Sequence, residues 1–148
     1  MAAIPRRVGK RPAALLPDPP ACIECGHSAA LVQSQRVYPR RPDLWNRMMW
    51  LCDCGAYTGC HEGTQRAKGR PAGKDTRKAR IDAHAAFDPL WQAKQRRDGL
   101  SKSKARGAGY KWLGEQLGLD ATVCHIAEMD GETARRVTQL CRRFRVRP

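Results

Sequence analysis

Four cysteines fall in two short turns, Cys22-Ile-Glu-Cys25-Gly26 and Cys52-Asp-Cys54-Gly55, with 26 residues between them. Thiolates are soft ligands, and two close pairs brought together by a hairpin supply the four sulfurs that tetrahedral zinc takes at about 2.3 Å. The glycine behind each pair suits a tight cysteine turn, which needs positive φ and bare amides near sulfur. The spacing predicts one structural zinc ion held by Cys22, Cys25, Cys52 and Cys54, and a zinc ribbon in preference to a compact finger. A closed site of four thiolates keeps no open coordination position, so it does structure and not catalysis. Redox-active or buried thiols are the alternative, and the second half-site argues against them.

More ligand-type residues crowd the second turn, where CDCGAYTGCH adds Cys60 and His61. Four better-placed thiols make His27 redundant, and Cys60 reads as a small apolar residue. His61, His84, Asp88 and His125 are the candidates for a second, open metal site of the kind a metal-dependent nuclease uses. The plainer reading makes each histidine structural, or His61 a phosphate contact. No Walker phosphate loop or GxSxG serine is present, and paired carboxylates are scarce.

Charge carries a second message. The chain of 148 residues has a net charge of +14, but residues 22–65 are neutral and residues 66–112 carry +10. Polyanions are the natural partners of such a segment, and nucleic acid is the commonest of them. Lys74, Arg77, Lys78 and Arg80 are the expected contacts, gripping phosphates without reading sequence. The alternative is a solvated basic face. Trp45, Trp91 and Trp112 are able to stack on unpaired bases, though they read first as core. WLGEQLGL resembles the start of a helix-turn-helix, but its second helix is short and poor in base-reading side chains.

These residues need elements to position them. The length fits one domain, and the expected fold class is α+β: a zinc-ribbon β-hairpin followed by a mainly helical basic region. Residues 1–21 read as a disordered, basic, proline-rich tail, 22–65 as the ribbon, and 66–148 as the helical region packed with it. Strands are expected at 29–38 and 47–52, and a loop from Gly63 to Gly73. Asp75 is placed as the cap of a helix ending near Phe87, and Asp88-Pro89 as the start of another that ends at Asp98-Gly99. SKSKARGAG (101–109) reads as a flexible linker before a short helix, YKWLGEQL. Asp120 is placed at the head of a brief turn. Asp130 caps a last helix whose Ala134, Val137, Leu140, Cys141 and Phe144 recur at helical spacing. No apolar run reaches about 18 residues, so no membrane is expected as partner. An odd count of seven cysteines without an export signal points to a reducing cytosol.

The order CxxCG, Trp50-Leu51-Cys52, CGAYTGCH, Arg70-Pro71, Ala83-His84, FDPLW and His125-Ile126 resembles the small zinc-finger-containing domain proteins of bacteriophages and prophages. The likeness spans residues 22–141, and CDC departs from the CxxC usual in the second pair. It implies the same four zinc ligands and a cytoplasmic setting in a bacterial host, but no reaction. The expected function is nucleic-acid binding. A nuclease and an adaptor or inhibitor of a host protein are the alternatives.

Overall fold

The computed structural model describes residues 17–145. Residues 1–16 of the expected tail lie outside the described residues. Short runs rich in β-branched, aromatic and other apolar residues build a three-stranded antiparallel sheet of order β1-β2-β3: β1 (Ala30–Gln33), β2 (Met48–Leu51) and β3 (Tyr57–Gly59). Ala30 faces Leu51, and Met49 faces Gly59. β1 is shorter than the run 29–38 suggested, because Ser34 turns the chain into a 3-10 turn and its buried hydroxyl donates to the Leu44 carbonyl. Trp50 is buried, and its indole N–H donates to the Gln65 carbonyl at 2.8 Å. β3 is a third strand, inside a stretch whose cysteines and histidine had masked its Tyr-Thr pair. Bridges of Tyr57 to Ala72 and Cys60 to Ala67 cover part of its outer edge.

Three helices follow among the described residues: α1 (Lys74–Asp98), α2 (Lys102–Leu117) and α3 (Gly131–Arg142). Asp88-Pro89 does not start a new helix, since α1 runs through it for 25 residues. An interior proline costs about 3 kcal/mol. Opposing that cost is the buried stripe Ala79, Ala83, Phe87 and Trp91, spaced four apart, which needs one unbroken helix. Asp88 instead accepts a hydrogen bond from the Trp91 indole at 3.0 Å. The cap position is Gly73, not Asp75.

The supposed linker 101–109 is the first half of α2, with the Ser101 hydroxyl accepting from the Lys104 amide at 3.2 Å. Its Gly109 is a packing residue: a Cβ there would lie 3.0 Å from Cβ of Trp91 and 3.1 Å from the Phe87 ring. The bare backbone lets α2 approach α1. Gly118 ends α2 in the left-handed region, and only a 3-10 turn (Ile126–Glu128) precedes α3, so the helix-turn-helix resemblance does not hold. Asp120 accepts from the Thr122 amide at 2.8 Å within that connection. Asp130 does cap α3, accepting from the Thr133 amide at 2.7 Å. Phe144 lies beyond the helix and is half exposed rather than core. No helix among the described residues is long and apolar enough to cross a membrane.

Candidate metal centre

Each cysteine turn is a closed hairpin. In the first, the Cys22 amide donates to the His27 carbonyl and the Gly26 amide to the Cys22 carbonyl, at 2.8 and 2.9 Å. In the second, the Cys52 amide donates to Ala56 and the Gly55 amide to Cys52, also at 2.8 and 2.9 Å. Cys-Asp-Cys is therefore the same turn contracted by one residue. Gly26 and Gly55 adopt φ of +78° and +92°, which a side chain rarely tolerates. The first turn leads into β1 and the second joins β2 to β3, so the β1–β2 pairing places the two turns side by side.

The sulfurs of Cys22, Cys25, Cys52 and Cys54 all lie within 4.8 Å of one another. The closest approaches cross between turns, Cys22 to Cys54 at 3.6 Å and Cys25 to Cys52 at 3.3 Å. A tetrahedron with zinc–sulfur bonds of about 2.3 Å has edges of about 3.8 Å. The four thiols fit one zinc ion. Cys22 and Cys52 are buried, while Cys25 and Cys54 form the exposed rim.

Burial pushes the Cys22 thiol up, but the amides of Cys25 and Glu24, with the thiols of Cys54 and Cys52, outweigh it and hold it below its ordinary value. Cys52 and Cys54 move the other way. Amides of Cys54 and Ala56 favour their thiolates, yet desolvation keeps both above the ordinary range, helped by the Cys25 and Cys22 thiols at Cys52 and by the Cys22 and Cys52 thiols at Cys54. Four like charges cannot share this volume alone. A bound zinc dication supplies the opposite charge, and the amides, including Glu24 N–H at 3.3 Å from the Cys22 sulfur, support the thiolates.

The centre is tied to α1 by a residue the sequence reading passed over. Glu24, inside the first turn, accepts from the Thr76 hydroxyl at 2.6 Å and the Gly73 amide at 3.1 Å. Those two hydrogen bonds, with Arg80 and Arg77 nearby, hold its carboxyl below the usual value. It caps a helix whose own cap position offers no side chain. Arg70 adds a second tie, donating to the carbonyls of Ala21 and Cys22 at 3.0 and 3.3 Å. Only the acidic residue inside a CxxC turn hinted at this. Its partner lies 52 residues on.

The remaining candidates scatter. Among the described residues, no second group of three metal-ligand side chains forms. His84 and Asp88 face each other at 3.4 Å, His125 packs against the Tyr110 ring, and His61 is exposed on the ribbon. Cys60 is half-buried, and burial pushes its thiol up against the pull of Lys68. Cys141 lies in the helical core with its thiol pushed up to about 11 by burial. Of the expected phosphate contacts, Lys74 and Lys78 are exposed, and Lys78 pairs with Asp82 at 2.7 Å. Arg77 lies 3.9 Å over the Tyr57 ring and also donates to the Ala72 carbonyl. Arg80 departs from its expected role. It is buried, donates to the Met129 and Arg70 carbonyls at 2.7 and 2.8 Å, and binds α1 to the segments around it.

No curated protein and no solved structure matches the chain. A family profile does, over residues 18–144, which takes in both cysteine turns and all three helices. With its four thiols gathered by two tight cysteine turns, this chain belongs to the zinc-finger-containing domain family.

Proposed function

We propose that this is a zinc-stabilised nucleic-acid-binding protein that grips phosphates through α1 and α2. The observation that supports this reading is where the charge lies. Of the fourteen Lys and Arg between residues 66 and 112, ten are exposed and Arg80 alone is buried. Lys94, Arg96, Arg97, Lys102, Lys104 and Arg106 fall within thirteen residues around the α1–α2 turn, against the single acid Asp98. Lys74 and Lys78 extend the same sign toward the metal centre. Zinc here is structural: it fixes the ribbon, and Glu24 carries that order to the first turn of α1. A phage or prophage origin and a cytoplasmic setting belong to the same proposal.

The test is fluorescence anisotropy with labelled DNA and RNA across a salt series. Engagement of six to ten phosphates weakens binding by about 10³–10⁵-fold between roughly 50 and 200 mM salt. Replacing Lys102 and Lys104 together by Glu should weaken binding to all sequences alike. No binding at low salt, or binding indifferent to salt, would end this reading.

A further inference from the structure

The helices offer more than charge. An open groove of about 520 Å³ is lined by α1, α2 and the residue beyond α3, including Trp91, Trp112, Phe144, Lys94, Arg97 and Lys111. Its size is that of a small-ligand cleft, too small to seat a helix. Trp112 and Phe144 meet edge to face, with ring centroids 5.3 Å apart and planes at 88°. Phe144 remains 50% exposed there. Such a pair presents ring surface that nothing among the described residues fully covers, and aromatic rings accept flat partners of any base identity.

Charge narrows the occupant. Three cations line the groove against the single carboxylate of Glu115. Lys94 and Arg97 also belong to the basic run around the α1–α2 turn, and their bonds to Asp98, at 2.9 and 3.2 Å, lie at the surface, with the Lys94 and Asp98 side chains a little over one third exposed and Arg97 more so. Exposed pairs of this kind are weak and readily exchanged for a phosphate. A ligand that is flat, apolar on its faces and anionic along its backbone matches both features. Bases inside a duplex are already stacked and do not present those faces, so the strand must be unpaired.

We propose that this groove is a stacking site for unpaired bases, giving the protein a preference for single-stranded over duplex nucleic acid. The proposal rests on the nucleic-acid reading above and deepens it.

The experiment titrates the full-length, zinc-loaded protein with a thymidine dodecanucleotide, a duplex of equal length, inorganic polyphosphate, and an acidic peptide of alternating Asp and Phe. Tryptophan fluorescence and competition anisotropy are the readouts. The expected result is tighter binding and stronger quenching with the single strand, and no quenching by polyphosphate. Phe144→Ala, at an exposed position, should weaken the single strand about 5- to 150-fold, the range for one lost base stack, and leave the duplex unchanged. Trp112→Leu should do the same and reduce the quenching, leaving only the part that Trp91 reports. Equal affinity for strand and duplex, with Phe144→Ala inert, overturns the groove and leaves phosphate binding standing. Preference for the peptide assigns the groove to a protein partner and overturns it too. Failure of every nucleic acid to bind overturns both readings.

Discussion

The ribbon's own contiguous buried cluster is Cys22, Cys52 and Ala56, whereas the helical region buries thirteen residues around Phe87, Tyr110 and Leu113. Two of that cluster's three residues are metal ligands, so without zinc it has almost nothing left to pack, and Val32, Met49 and Trp50 are the largest side chains the sheet still buries. A small sheet of short strands is marginal by itself, and structural zinc contributes on the order of 10–16 kcal/mol to such modules. The helical region follows a different logic. It holds together by side-chain burial, which requires no ligand but demands close fits such as Gly109 against Trp91. The two regions meet through polar contacts: Glu24 on the start of α1, Arg70 on the first turn, and Arg77 stacked on Tyr57. Each region is therefore vulnerable at a different point, the ribbon at its metal and the helices at their packing.

The largest effect tests the ribbon. Cys22→Ser should abolish zinc binding, seen by native mass spectrometry as loss of one ion per chain. The ribbon should then lose hydrogen-exchange protection at a cost on the order of 10 kcal/mol, while far-ultraviolet circular dichroism keeps most of its helical signal. Collapse of the helical signal with the metal would erase the contrast and make the two regions one cooperative unit.

Next comes the helical core. Phe87→Ala should lower unfolding stability by about 3–5 kcal/mol in urea titration, with zinc stoichiometry unchanged. Zinc loss in that variant would show that the ribbon depends on the helices after all.

The joint between the regions is smaller. Glu24→Ala should keep its zinc yet cost about 1 kcal/mol, with faster amide exchange confined to the first turn of α1. An unaltered exchange rate at Lys74 to Thr76 would remove Glu24 as the tie. Smallest is Asp130→Ala, at about 1 kcal/mol or less and local to α3. The Thr133 amide holds the Asp130 carboxyl below its ordinary value. Its contribution is therefore present above the unfolded carboxylate's pKa of about 3.9 and is lost as pH falls through the lower folded value. The gap in melting temperature between wild type and Asp130→Ala should accordingly close in acid, and a gap constant with pH would assign the loss to something other than the ionised cap.

Legibility in the sequence divided by range. Thiol chemistry and turn geometry are local, so CxxCG and CxCG announced the metal centre. Asp130 with the repeat Ala134, Val137 and Cys141 announced α3 for the same reason, because cap and periodicity lie within twelve residues. The neutral ribbon and the basic segment were likewise written in composition. Tertiary structure decided the rest. Asp88-Pro89 and the glycines of 101–109 carry local costs of about 3 and 1 kcal/mol, which by themselves mark helix breaks. Burial of Phe87 and Trp91 against α2 and α3 opposes those costs, and such burial exists only once distant segments have met. The same holds for Arg80, which sequence placed among the phosphate contacts and packing drew inward to the Met129 carbonyl, and for Glu24, whose partners at Gly73 and Thr76 no local rule could supply.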